Sequence, residues 1–141
     1  MRLLLDVNVL IALIDPLHGS HLTACEWFER EPIEWATCPI TENAVLRIVG
    51  SSRYANSPGS PAAAAAALGD LVAAPGHAFW PDDVSLLDAA LVDVSRLLTP
   101  AQTTDSYLLA LAVKRGGRLA TFDRRLVTDA VRGGREALVL L

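Results

Sequence analysis

The chain has 141 residues, of which 52% are hydrophobic and 20% charged, and its formal net charge is −4. This length is typical of one domain, so we expect residues 1–141 to form a single unit, and the hydrophobic content excludes a disordered chain. The net acidity is unlike that of a generic nucleic-acid-binding protein. The apolar runs are shorter than the roughly 18 residues of a membrane span, and the N-terminal pattern is not that of a secretory signal. Two cysteines predict neither a disulfide framework nor a metal site, which favours a cytoplasmic protein.

The first apolar run, Leu3–Leu5, is typical of a strand that is buried on both faces of a parallel sheet. Asp6 follows it directly, and a second apolar run extends from Val9 to Ile14. A carboxylate between two apolar runs is costly to bury unless it has a partner. We therefore expect Asp6 to lie at the carboxyl end of the strand, where open α/β sheets bind their ligands.

The remaining chain alternates between helix and strand patterns. We predict helices over 7–14 (or a turn), 21–31 (ended by Pro32), 41–49, 61–74, 86–98, 105–115 and 123–131, strands over 35–38, 77–80, 118–122 and 137–141, and a loop over 50–61. Such alternation predicts a three-layer α/β/α fold around a central, mostly parallel sheet.

Four acidic residues occupy positions of two kinds. Asp6 and Asp123 each follow a predicted strand, and Glu42 and Asp105 each follow a threonine that can cap a helix. Helix N-termini at the crevice point towards the carboxyl ends of the strands, so all four side chains can converge on one pocket. Each acid also has an ordinary explanation, as a helix cap, a turn residue or a complement to the helix dipole.

Convergence of these acids would have a chemical consequence. Neighbouring carboxylates raise one another's pKa and cannot all stay ionised without a cation. Oxygen ligands suit Mg²⁺ or Mn²⁺, and the absence of histidine from the four positions disfavours zinc. Such a site can activate a water and neutralise the charge of a phosphodiester.

Four segments, LLLDVNVL, TENAVLRIV, TDSYLLALA and RLATFDRRL, together resemble the PIN-domain ribonucleases, and in particular the VapC-type toxins of bacterial toxin–antitoxin pairs. The resemblance implies a PIN-like fold, RNA cleavage with Mg²⁺ or Mn²⁺, frequent homodimers and inhibition by a small antitoxin protein. It also implies that Asp6, Glu42, Asp105 and Asp123 are the acidic metal-site residues. Asn8 and Thr121 match the polar positions of the family's D-x-N and T-x-D segments, which implies a supporting or substrate-side role.

Two further residues are candidates for contact with substrate. Arg124 and Arg125 follow Asp123 in a locally basic part of the chain, where they can contact phosphates or simply be solvated.

A non-catalytic, receiver-like module is the alternative function, because receivers also carry acids at strand ends. Receivers, however, normally group two acids after the first strand, and haloacid-dehalogenase-like phosphatases have a D-x-D at that place. Asn8 interrupts the second pattern, and Val7-Asn8 interrupts the first.

Overall fold

The first strand, β1 (Leu3–Leu5), is part of a parallel sheet, as its unbroken apolar sequence predicts, and it is the central strand of that sheet. The computed structural model describes residues 1–30 and 33–141. β1 lies between β2 (Trp35–Thr37) and β4 (Arg118–Thr121) and is parallel to both. Leu4 and Leu5 have no exposed surface, because helices cover the sheet on both sides.

The described part of the chain forms one five-stranded parallel sheet, in the order β3-β2-β1-β4-β5. Here β3 is His77–Phe79 and β5 is Leu138–Leu140. The chain runs from β1 to β3 on one side, and then crosses to β4 and β5 on the other. The strand order thus reverses between β1 and β4, where the departing loops leave a crevice at the carboxyl edge of the sheet.

Helices on both faces of the sheet complete the three-layer α/β/α fold that the alternating pattern predicts. The α-helices in the described residues are α1 (Val7–Ile14), α2 (His21–Arg30), α3 (Pro39–Val49), α4 (Pro61–Val72) and α5 (Gln102–Lys114). Because side chains alternate along each strand, Leu5 and Trp35 pack with α1–α4, whereas Leu4 and Leu119 pack with α5. No helix in the described ranges is long and apolar enough to cross a membrane.

The predicted helix over 86–98 is wrong. The segment consists of turns and a single 3₁₀ turn, Val94–Arg96. The Asp93 carboxylate accepts a hydrogen bond from the backbone N–H of Ser95, and such local bonds compete with helix formation. Val92 also forms an antiparallel bridge with Val131. Pairing with a distant segment therefore replaces the hydrogen bonds that a helix would have made.

The predicted helix over 123–131 is also wrong, because these residues form turns. Asp123 Oδ1 accepts the backbone N–H of Arg125 at 2.8 Å, which closes a turn directly after β4. The other predicted strands and helices are confirmed, with ends that differ by at most three residues. The predicted end of α2 at Glu31 and Pro32 lies outside the described residues.

Two predicted helix caps are corrected. Helix α3 begins at Pro39 with Cys38 as its N-cap, and Thr41 lies one turn in, where its hydroxyl accepts the Cys38 N–H at 3.0 Å. Helix α5 begins at Gln102, so the threonines expected to cap it lie within its first turn. Glu42 and Asp105 nevertheless remain in the first turns of their helices.

Candidate active site

A cavity of about 360 Å³ opens at the carboxyl ends of β1 and β4, where the strand order reverses. Three aspartates from separate segments line it: Asp6 after β1, Asp123 after β4 and Asp105 in the first turn of α5. The other lining residues are Val7, Asn8, Ile11, Ala44, Arg47, Ile48, Thr104 and Leu108. The fold thus brings together acids that lie far apart in the sequence.

Asp6 is held in one position by bonds to both of its carboxylate oxygens. It is the N-cap of α1, where Oδ1 accepts the backbone N–H of Val7 at 2.7 Å. Oδ2 accepts a hydrogen bond from the Thr121 hydroxyl at 2.8 Å. Only 7% of the residue is exposed. Asp6 therefore has two structural roles: its carboxylate caps the N-terminus of α1, and the residue lines the cavity.

Thr121 connects the loops that follow β1 and β4. Its hydroxyl is fully buried and, besides donating to Asp6, accepts hydrogen bonds from Asn8 Nδ2 and the Asp123 backbone N–H, each at 3.0 Å. Asn8 Oδ1 in turn accepts the backbone N–H of Phe122 at 3.1 Å. Asn8 and Thr121 therefore contact the acids and the backbone that carries them.

Negative charge predominates in the cavity, because three aspartates and one arginine, Arg47, line it. Burial raises the pKa of Asp105 to about 6, with further contributions from the charges of Asp6 and Asp123. The pKa of Asp6 is raised as well, first by burial and in small part by Asp123, against the hydrogen bonds from Thr121 and Val7. None of the three aspartates forms an ion pair with a lysine, arginine or histidine in the described ranges. The site therefore favours a proton or a cation.

The donor set fits a hard divalent cation. All three acids offer oxygen, the ligand atom that hard cations prefer, and burial raises the pKa of buried Asp6 and of half-buried Asp105. As they stand, no three Asp, Glu, His or Cys side chains among residues 1–30 and 33–141 are close enough to hold one ion. Mg²⁺, however, needs only one or two protein carboxylates, because it keeps several waters.

Glu42, the fourth predicted acid, does not line this cavity. Its Oε2 accepts a hydrogen bond of 2.6 Å from the hydroxyl of Thr37, the last residue of β2. His77 Nε2 lies 2.8 Å from the same hydroxyl oxygen. Since Thr37 has one hydroxyl hydrogen and gives it to Glu42, His77 donates to Thr37. Glu42 thus lies at the carboxyl edge of the sheet, one strand away from Asp6.

The basic residues lie at the rim. Arg124 and Arg125 are exposed, directly after Asp123, and neither lines the cavity. Arg47 does line it, and sequence reasoning missed this residue. Ala44, Arg47 and Ile48 have the i, i+3, i+4 spacing of one helix face, and that spacing on the helix that carries Glu42 was the available signal.

Comparison with known proteins identifies one family and several similar relatives. Residues 3–130 match the family model described as PIN domain. The chain is 47% identical over 135 residues to Ribonuclease VapC44 of Mycobacterium tuberculosis, which covers 94% of each chain. It is 42% identical over 139 residues to Ribonuclease VapC39 of the same organism, which covers 98% of this chain and all of the relative. Ribonuclease VapC38 is 42% identical over 128 residues.

Proposed function

This chain belongs to the PIN-domain family as a VapC-type member, and from that premise we propose that it is an endoribonuclease that acts as the toxin of a toxin–antitoxin pair. The relatives named as ribonucleases match it over nearly their full length. The observation that carries the proposal is the meeting of Asp6, Asp105 and Asp123 in one cavity at the reversal of strand order. Residues 1–141 would act as one nuclease domain.

We propose Mg²⁺ or Mn²⁺ as the cofactor, held by Asp6, Asp105 and Asp123 together with Glu42. The cavity's predominantly negative charge and its all-oxygen donors support this assignment. When bound, such an ion lowers the pKa of an attacking water and neutralises the charge of the phosphodiester.

The protein's own residues position these groups. Asp6 keeps a fixed orientation because Val7 and Thr121 hold its two oxygens. Thr121 also binds Asn8 and the backbone of Asp123, so a shift of any one of them disturbs the others. In this proposal the network keeps the carboxylates pre-oriented, and water is partly excluded because Asp6 is buried.

Glu42 would join the other acids by a change of side-chain torsion. It lies on the first turn of α3, at the same edge of the sheet, and one hydrogen bond to Thr37 holds it. Such a bond contributes about 1.5–3 kcal/mol at most to a charged group, which the attraction of a divalent cation can offset. The rim arginines, Arg124 and Arg125, would contact phosphates of the RNA.

The experiment is an RNA cleavage assay with the purified chain in EDTA and after addition of Mn²⁺. We expect cleavage only with the metal ion, and the loss of most cleavage in Asp6→Asn, Glu42→Gln, Asp105→Asn and Asp123→Asn. Asp70→Asn is the matched control, because Asp70 is exposed on α4 and does not line the cavity. RNA that binds but is never cut would favour the receiver-like, non-catalytic alternative.

We propose two protein partners, a second copy of the chain and a small antitoxin. VapC-type membership supports the antitoxin, and an arginine from it could pair bidentately with Asp6 or Asp105. Co-expression with the small protein encoded by the neighbouring gene should then suppress cleavage, and excess Mn²⁺ should partly restore it. Light scattering tests for the homodimer. An inhibited complex with unchanged metal affinity would contradict competition at the acids.

A further inference from the structure

A second cavity adjoins the acidic one and has the opposite charge. It has a volume of about 380 Å³ and is lined by Arg47, Ile48, Ser51, Arg53 and Tyr54. Arg47 and Ile48 line both cavities, so the two form one continuous depression across the end of α3. Each volume lies within the roughly 300–1,000 Å³ of ligand sites.

The two guanidinium groups in this depression lack a counterion. Arg47 and Arg53 are exposed, and neither forms an ion pair or a side-chain hydrogen bond with a residue that the structure describes. Other arginines are engaged in the protein itself: Arg2 and Arg115 pair with acidic side chains. Unpaired guanidinium groups at a cavity are typical of phosphate contacts.

The loop that carries Arg53 is held in place although it is rich in turn formers. The Tyr54 hydroxyl donates a hydrogen bond to Asp15 at the end of α1, and Asn56 Nδ2 donates to the same oxygen at 3.0 Å. Asp15 is only 5% exposed. Because the loop is anchored at Tyr54 and Asn56, directly after Arg53, it holds Arg53 in the lining of the cavity that Arg47 also lines. A preformed site loses less entropy on binding.

We propose that the Arg47–Arg53 cavity binds the phosphates of the RNA strand next to the bond that is cut, an inference that rests on the proposed function. A strand whose scissile phosphate lies over Asp6, Asp105 and Asp123 continues to the next phosphate on either side. On the α3 side the neighbouring cavity adds Arg53 to Arg47, which lines both cavities. The chain, with its net charge of −4, thereby attracts a polyanion at one local surface.

This surface also gives the loop over 50–61 a function. The distance between the acidic cavity and Arg53 determines which nucleotides next to the scissile phosphodiester contact the loop. Unpaired RNA bases are the usual target of sequence-specific recognition, and single-stranded RNA is therefore the ligand that we assign.

The test measures binding separately from cleavage. Fluorescence anisotropy with a labelled single-stranded RNA, in EDTA, gives the association constant of the full chain over a range of salt concentrations. Each phosphate contact contributes about 0.7 to the slope of log K against log salt for single strands. We expect Arg47→Gln and Arg53→Gln each to reduce the slope by about 0.7, and the double variant by about 1.4.

Arg118→Gln is the matched control. Arg118 is exposed and begins β4, at the opposite edge of the sheet from the acids, so its slope should equal that of the wild type. Circular dichroism melts establish that all variants fold alike. With Mn²⁺ present, we expect the two arginine variants to raise KM by a larger factor than they lower kcat.

Slopes for Arg47→Gln and Arg53→Gln that match Arg118→Gln overturn the inference, even where the wild type cleaves RNA. Unchanged RNA binding combined with loss of antitoxin binding also overturns it and makes the depression a protein-binding surface. Failure of the proposed function looks different, because the wild type itself then cuts no RNA under any condition.

Discussion

The Thr121 hydroxyl donates a hydrogen bond of 2.8 Å to Asp6 Oδ2 across 115 positions of sequence. The hydroxyl oxygen of Thr121 also accepts hydrogen bonds from Asn8 Nδ2 and from the Asp123 backbone N–H. This one side chain therefore connects the segments that follow two neighbouring strands. The site's geometry depends on this residue although Thr121 does not itself line the cavity.

Thr121→Val should therefore damage both stability and activity. Valine preserves the shape but leaves buried polar groups without partners, which costs about 1–3 kcal/mol of unfolding free energy. RNA cleavage should fall roughly 10–100-fold, as is typical when residues behind metal ligands are changed. Denaturant unfolding and initial cleavage rates measure the two effects. Thr121→Ser retains the hydroxyl and should recover most of both, and equal losses in the two variants would contradict the hydrogen-bond explanation.

Glu42→Gln tests the acid that the cavity does not include. Glutamine can still accept the Thr37 hydrogen bond through Oε1, so the melting temperature should stay within about 2 °C of the wild type. Cleavage with Mn²⁺ should fall at least about tenfold because the negative charge is lost. Full activity in this variant would leave Glu42 as a structural partner of Thr37 and remove it from the proposed metal site.

Asp105 makes the metal-free protein sensitive to pH. Its pKa in the fold is about 6, above the roughly 3.9 of an unfolded aspartate. The folded state therefore binds more protons than the unfolded state between these values, and stability is lost as the pH rises from about 4 to 7. Asp105→Asn removes this loss. In thermal melts in EDTA, the melting temperature of the variant should rise relative to that of the wild type as the pH increases across that interval. A difference in melting temperature that stays constant with pH would contradict the assignment.

Metal binding should raise the stability of the wild type. At a Mn²⁺ concentration 100 times the dissociation constant, binding to the folded state adds about 2.7 kcal/mol to the free energy of unfolding. The melting temperature should rise by several degrees in the wild type and in Asp70→Asn, but not in Asp6→Asn. A shift of equal size in Asp6→Asn would mean that the ion binds elsewhere.

Asp15 should show the opposite dependence on pH. Burial acts to raise the pKa of Asp15, but hydrogen bonds from Tyr54, Asn56 and the Leu17 N–H, together with the charge of His18, outweigh it and hold that pKa below its ordinary value. Its contribution to stability is complete above the unfolded pKa of about 3.9 and is lost as the pH falls through the lower folded value. Tyr54→Phe should cost about 1 kcal/mol at pH 7 and much less in acid, as urea unfolding at several pH values would show.

Sequence reasoning succeeded where one physical signal dominated. The apolar run before Asp6 predicted a strand buried on both faces of a parallel sheet. It also predicted that the acid lies at the crevice, because a carboxylate without a partner is costly to bury. Residues 86–98 misled because their helical spacing of leucines and valines competes with a bridge from Val92 to Val131, which periodicity does not encode. The structure differs from the prediction at Glu42, which does not line the cavity, and at Arg47, which does, for another reason. Which neighbour a surface side chain contacts is a matter of tertiary geometry, and one sequence does not determine it.

The pairing of β1 with β4 has a consequence for biosynthesis. β1 is among the first parts of the chain to be translated, yet one of its two neighbours, and the Thr121 and Asp123 that complete the acid cluster, come more than 110 positions later. Long-range parallel pairing of this kind is slow to form. A nascent chain therefore lacks part of the acid cluster through most of its synthesis. The cavity that we propose as the active site can form only after translation has passed Asp123.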